Sequence, residues 1–184
     1  RDQSAIEALE KVNIQTSQFH DQVIYEPGFL RTGQGNPFSV FTPFKRRWVE
    51  NFEMDFLDIT QLQAAKKTSS TKSNLSNLKF VKSHLVNINL WPAGEAAAQE
   101  RLSSFLHSKA RLYSESRNSP IIDGTSRISP YLALGILSPK RCILEGLKLN
   151  DFEFTSGNKG ICKWIDEIVW REFYRNIMHS FPKV

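Results

Sequence analysis

Apolar residues recur at helical intervals over most of this chain, and where they stop doing so the chain turns polar or carries proline and glycine. Ala5, Ile6, Leu9 and Val12 share one helix face, with Asp2 and Glu7 toward its start and Lys11 toward its end, so a helix of about three turns is predicted over 1–12. Residues 19–25 predict a strand, closed by Glu26-Pro27-Gly28. Gly33-Gln34-Gly35-Asn36-Pro37 predicts a surface turn; it lacks the third glycine and the following helix of a dinucleotide loop. Thr42 is positioned to cap and Pro43 to open a helix over 43–52, with Phe44 and Trp48 four apart on one face. From Ile59 to Lys79 the chain is rich in Ser, Thr, Lys, Gln and Asn and too polar to bury a core face, which predicts a linker.

Beyond the linker the punctuation is almost wholly helical. After Trp91-Pro92-Ala93-Gly94, the residues Ala98, Leu102, Phe105 and Leu106 form one face of a helix that starts at Glu95 and is expected to run on to Leu112. Ser129-Pro130 and Ser138-Pro139 are cap-then-proline starts, predicting helices over 130–135, ended by Gly135, and over 139–149. Residues 158–180 carry the longest helix signal. Ile161, Ile165, Ile168 and Val169 form its aliphatic stripe; Glu167, Trp170, Arg171 and Tyr174 fall on another side, and Trp164 lies at the border. The architecture expected is mostly α. Residues 1–55 form the trailing edge of an α/β domain, 56–91 a connecting segment, and 92–184 a helical domain.

Composition narrows the picture only slightly. The 184 residues are 40% hydrophobic, with 13 Phe and 4 Trp, which fits a globular chain with a sizeable core. A net charge of +5 is compatible with a polyanionic partner and is also ordinary for a stable domain. The triplet Lys45-Arg46-Arg47 is more readily a solvated face than a nucleic-acid patch. Two cysteines, Cys142 and Cys162, lie inside predicted helices without metal or disulfide spacing, so buried free thiols and no metal site are expected. No apolar run approaches the roughly 20 residues a membrane helix needs, and no secretory signal opens the chain; a soluble, reducing, cytoplasmic setting follows, with no membrane and no obligate protein partner implied. The chain starts at Arg1 and stops at Val184 in an aromatic helical pattern, which reads as a segment of a longer protein.

Two stretches carry candidate chemistry. Gly124 to Pro130 packs hydroxyls and a guanidinium before a helix start, where backbone N–H groups and the helix dipole favour an anion such as a phosphate. The bland reading is that Thr125, Ser126 and Ser129 only cap and that Arg127 is an exposed cation. Trp164 to Tyr174 presents indoles, a carboxylate and a guanidinium that could stack on a base and bond its edge. Its bland reading is packing against another domain, with Glu167 and Arg171 as a helical i,i+4 pair.

Gly124-Thr125-Ser126-Arg127-Ile128-Ser129-Pro130-Tyr131-Leu132-Ala133-Leu134-Gly135-Ile136-Leu137-Ser138-Pro139-Lys140, followed by Trp170-Arg171-Glu172-Phe173-Tyr174-Arg175, resembles the DNA photolyase and cryptochrome family; Val40 to Lys45 resembles the same family's segment near the end of its antenna domain. The hexapeptide is most similar to that of class I cyclobutane-dimer photolyases. The resemblance implies an α/β antenna domain followed by an all-helical FAD-binding domain, here its N-terminal half. It implies light-driven splitting of pyrimidine dimers in damaged DNA by an electron from reduced FAD. It further implies FAD contacts at Tyr113, Thr125, Ser126, Arg127, Ile128, Ser129 and Trp164, the hydroxyl run against the phosphates.

DNA contacts are implied at Arg117, Glu167, Trp170, Arg171 and Tyr174. Trp170 would stack on the flipped dimer, Glu167 would act catalytically by bonding the base edge and stabilising the radical anion, and Arg171 would bind phosphate or brace the pocket. A second antenna chromophore of folate or deazaflavin type is possible in the parent, with Ser17 and Gln18 near a folate position. Because the family's remaining flavin contacts lie beyond Val184, the segment alone is expected to hold FAD weakly or not at all and to be inactive. The competing expectations are a cryptochrome-type blue-light receptor and a non-enzymatic helical nucleic-acid-binding module.

Overall fold

The computed structural model describes residues 2–17, 20–57 and 89–183. The predicted linker, Ile59 to Lys79, lies outside the described residues, as does the antenna position Gln18. The elements are α1 (Asp2–Glu10), α2 (Phe41–Glu50), a 3-10 turn at Met54–Leu57, α3 (Glu95–Ser108), a second 3-10 turn at Ala110–Leu112, then α4 (Tyr113–Ser116), α5 (Ser129–Ala133), α6 (Pro139–Leu149) and α7 (Lys159–Ser180). The chain is mostly helical, and no strand forms among the described residues.

Helix α7 is the axis of this arrangement, touching α2, α4, α6 and the 110–112 turn. Its predicted aliphatic stripe, Ile161, Ile165, Ile168 and Val169, is buried. Asn158 caps it, accepting from the backbone N–H groups of Gly160 and Ile161 at 3.0 and 3.1 Å. Gly160 lets the first turn approach the 110–112 turn closely, since a Cβ there would run into the carbonyl oxygens of Ala110 and Arg111. The predicted face of α3 packs as expected: Ala98, Leu102, Phe105 and Leu106 are all buried.

Several local expectations fail for identifiable reasons. Residues 21–25 form turns rather than a strand. Val23, Ile24 and Tyr25 are buried consecutively, which a strand with one solvated face does not do. Their backbone is satisfied by a side chain: Glu172 Oε2 accepts from Ile24 N–H at 2.7 Å and Oε1 from Tyr25 N–H at 3.0 Å. Oε1 also accepts from the indole Nε1 of the fully buried Trp48, at 2.9 Å. Arg171 Nη1 donates to the Gln22 carbonyl at 2.6 Å, Arg175 donates to the Gln22 side chain, and Asn176 Oδ1 accepts from Gly28 N–H at 2.8 Å. One face of α7 therefore grips residues 22–28 where a neighbouring strand would otherwise be needed.

Thr42 does not cap α2; the helix begins at Phe41, after an extended Val40 with no side-chain cap. Ser129 likewise sits inside α5, which starts after Ile128 without a side-chain cap and is only five residues long. Ser138 does cap α6, accepting from Lys140 N–H at 3.2 Å. Helix α3 stops at Ser108, and the chain tightens into the 3-10 turn before Leu112. The basic triplet is taken up in ion pairs: Lys45 with Asp166 at 2.6 Å, Arg46 and Arg47 with Glu50 at 3.8 and 3.7 Å. Cys142 is fully buried and its thiol pushed up to about 12 by desolvation; Cys162 is half-buried and donates to the Ser156 carbonyl.

Ile24, Phe44, Trp48 and Leu57 belong to the same buried cluster as Leu102, Trp164 and Phe173. Burial pushes the Glu172 carboxyl upward, while its three N–H donors and the nearby Arg171 pull it back down. Replacing Glu172 by Gln turns an amide NH2 toward buried N–H donors. Glu172→Gln should lower the unfolding free energy by roughly 2–4 kcal/mol in urea titration, against under about 0.5 for the exposed Glu50→Gln. Equal losses would remove the clamp's special role.

Candidate cofactor and nucleic-acid cleft

The two candidate stretches, Gly124 to Pro130 and Trp164 to Tyr174, meet across one open cleft of about 520 Å³ between the 125–129 loop, α4 and α7. Tyr113, Thr125, Ser126, Arg127, Ile128, Ser129, Trp164, Glu167, Trp170, Arg171 and Tyr174 all line it. Of the site residues expected from sequence, Arg117 alone does not line this cleft; it lies beside it and pairs with Glu167.

The loop forms the polar wall. Gly124 is buried against Ser116, and a Cβ there would overlap the Ser116 side chain, so the loop can lie close on α4. Arg127 adopts a left-handed φ of 52°, uncommon for a residue with a side chain. Its carbonyl accepts from Trp91 Nε1 at 3.0 Å, and its guanidinium pairs with Asp123 at 2.9 Å. Asp123 also accepts from Lys109 Nζ at 2.7 Å. Thr125, Ser126 and Arg127 line a second cavity of about 320 Å³ on the Lys109 and Asp123 side. The loop is therefore a partition with two polar faces. Helix α5 is too short to supply the dipole that the sequence suggested, so hydroxyls and Arg127 are what this wall offers an anion.

The opposite wall is aromatic and charged. Trp164 is buried at the floor against Phe105, ring centres 5.4 Å apart. Trp170 stacks on Phe41 at 3.7 Å with planes 9° apart, and lies 5.5 Å from the exposed Tyr174. The helical Glu167 and Arg171 pair does not form. Glu167 pairs instead with Arg117, and with Lys163 at 3.8 Å, while Arg171 donates to the carbonyls of Gln22 and Leu132 at 2.6 and 3.1 Å. Arg171 is thus a brace, and burial lowers the basicity of its guanidinium. The Arg117 guanidinium lies 5.6 Å from the Tyr113 ring centre. Burial foremost, and then the Glu167 charge, raise the Tyr113 phenol, which stays neutral.

The chain is similar to known photolyases. The DNA photolyase family model matches residues 1–67. The deoxyribodipyrimidine photo-lyase of Vibrio cholerae is 30% identical over 186 residues, covering 100% of this chain and 39% of that protein. That of Escherichia coli is 31% identical, covering 94% of this chain and 36% of its own length. The chain belongs to the DNA photolyase family. A solved bacterial class III photolyase from Agrobacterium tumefaciens aligns over 99% of this chain and 38% of its own, with a TM-score of 0.81 and 28% identity. The chain therefore spans a little over a third of the length of the photolyases it matches. Among the described residues, no helix of this photolyase-family chain is long and apolar enough to cross a membrane.

Three residues that matter to the cleft escaped the sequence reading as site residues. Phe41 fixes the Trp170 indole, Asp123 holds Arg127, and Trp91 holds the Arg127 carbonyl. No local pattern marks Phe41, whose partner is more than a hundred residues away. Asp123 and Arg127 do have the spacing of a helical i,i+4 pair, but the segment between them is not helical.

The Lys109 hydrogen bond, joined by the Lys109 and Arg127 charges, outweighs desolvation and holds the Asp123 carboxyl below the usual carboxylate range. A carboxyl depressed by folding contributes stability at neutral pH that is lost as pH falls through its folded pKa. Between about pH 5 and pH 2.5, the melting temperature should therefore fall further in the wild type than in Asp123→Asn. Parallel curves would show that the ion pairs contribute nothing.

Proposed function

We propose that the protein repairs cyclobutane pyrimidine dimers in DNA with light, using FAD held in the cleft between the 125–129 loop and α7. The observation that carries this reading is that one cleft joins a hydroxyl-rich loop, a buried indole floor and an aromatic face bearing a carboxylate. Loop and helix are far apart in sequence and acquire a common purpose only by meeting there. Relatives named deoxyribodipyrimidine photo-lyase that align along the chain support it. The class I assignment rests on the Trp170 to Arg175 hexapeptide alone.

The residues suit the cofactor. Thr125, Ser126 and Ser129 present hydroxyls and Arg127 a cation for a diphosphate, while Tyr113, Ile128 and Trp164 present flat or apolar surface for rings. When bound and reduced, FAD supplies the light-excited electron that opens the dimer. Trp170, its plane held by Phe41, offers stacking to a pyrimidine extruded from the helix; a dimer already stacks badly and is cheaper to flip. Glu167 accepts hydrogen bonds from the base edge, Tyr174 widens the aromatic face, Arg117 meets backbone phosphate, and Arg171 braces α7. Binding weakens as salt rises. Residues 1–55 are the proposed end of the antenna domain, with 56–91 connecting it to the helical domain; a folate or deazaflavin antenna completes the reading. The two free cysteines suit a cytoplasmic, reducing setting.

The protein at its natural length should carry flavin absorption and, under blue or near-ultraviolet light, should remove dimers from single-stranded DNA. Flavin without light-dependent dimer loss would make it a photoreceptor, and no flavin would make it a plain nucleic-acid-binding module. Trp170→Ala should weaken dimer-containing DNA by about tenfold or more and undamaged DNA far less, measured by equilibrium binding in the dark. Equal losses would point to a purely structural indole.

A further inference from the structure

Arg117 and Glu167, two charged groups at the edge of the cleft, neutralise each other in the structure. The Arg117 Nη1 donates to Glu167 Oε1 across the gap between the end of α4 and the middle of α7, with both side chains about a quarter to a third exposed. No other carboxylate on this stretch of α7 stands ready to replace Glu167, since Asp166 is taken by Lys45 at 2.6 Å. Lys163, at 3.8 Å and 40% exposed, is a loose second partner that would remain with Glu167 if Arg117 left. The Arg117 guanidinium already lies over the Tyr113 ring, so it has a resting place on the cleft wall from which a short rotation of its long side chain leads outward.

We propose that this ion pair is a discriminating latch. An incoming DNA phosphate exchanges for Glu167 on Arg117, and the released carboxylate, left with only the loose Lys163 contact, regains a close partner when a flipped base offers its N–H edge. The inference rests on the proposed reading of the cleft as a damaged-DNA site.

The physical basis is the asymmetry of a partly buried ion pair. Taking one partner away leaves the other charge poorly compensated. On undamaged duplex or stacked single strand, Arg117 can reach phosphate only by abandoning Glu167, with nothing entering the cleft to replace it. On a lesion that flips, the base edge donates to the Glu167 oxygens while the phosphate takes Arg117, so both new contacts form together. Phosphate contact, ordinarily blind to sequence and damage, becomes conditional on occupancy of the cleft. The pair thus adds specificity by weakening the wrong complex rather than by strengthening the right one.

Dark binding of undamaged and dimer-containing DNA to the natural-length protein, over a range of salt, tests this. Glu167→Gln frees Arg117 and should tighten undamaged DNA about three- to tenfold, with one more phosphate contact in the salt dependence. In the Arg117→Ala background the same change should have no such effect. Charge removal alone, without a latch, would tighten undamaged DNA equally in both backgrounds and would overturn the proposal. So would no tightening in either, once matched melting temperatures show that all variants are folded. Wild-type protein that does not prefer dimer-containing DNA would defeat the photolyase reading itself, whereas preference without coupling between Arg117 and Glu167 defeats the latch alone.

Discussion

A single buried carboxylate holds this structure in register. Glu172 lies on the side of α7 facing the N-terminal part of the chain and receives three N–H groups, two from the backbone of Ile24 and Tyr25 and one from the Trp48 indole. Each donor would otherwise be buried without a partner, and a charge in that place without donors would be strongly unfavourable. Their mutual satisfaction ties the 22–28 segment, α2 and α7 together. Tyr25 extends the network by donating its hydroxyl to the Trp48 carbonyl at 3.0 Å, with the two rings edge to face. Arg171 beside it, and Arg175 and Asn176 from the next turn, add contacts to the same segment.

The cleft depends on that clamp because α7 serves both. Arg171 lines the cleft and at the same time donates to Gln22 and Leu132, so one side chain joins the N-terminal segment, α5 and the functional wall. Phe41, delivered by α2, stacks on Trp170 and fixes its plane. The orientation of the aromatic face is thereby set by residues remote from it in sequence, through rigid contacts that leave the indole little freedom. The 125–129 loop is restrained independently, through Gly124 against Ser116 and through Trp91 and Asp123 on Arg127. Two separately stiffened walls facing across a space are what a site needs when it must hold ring systems in a defined relation.

Much of the helical architecture was legible because helices are local objects. The period of Ile161, Ile165, Ile168 and Val169 and the face of Ala98, Leu102, Phe105 and Leu106 identify their own buried sides. The Ser138-Pro139 start is likewise written in adjacent residues. The strand expected over 19–25 was misread because β-branched and aromatic residues suit any buried segment, and only the tertiary contacts of Glu172 with Ile24 and Tyr25 distinguish a turn held by a carboxylate. Thr42 and Ser129 were misread as caps because a hydroxyl before proline is a frequent start, while the main chain enters the helix two residues earlier than expected at Phe41 and one residue earlier at Ser129.

The sequence by itself determined the helices, their core faces and the membership of the two motifs in one family, since periodicity, turn chemistry and motif wording are properties of neighbouring residues. It also determined most of the residues that line the cleft. Only the tertiary structure decided what those residues do to each other: that Glu167 pairs with Arg117 rather than Arg171, that Arg171 is a brace, and that Trp170 leans on Phe41. The reason is that charge pairing and ring stacking depend on separations of a few ångströms between groups up to more than a hundred residues apart. No local pattern encodes those distances; they exist only once α2, α4 and α7 have packed.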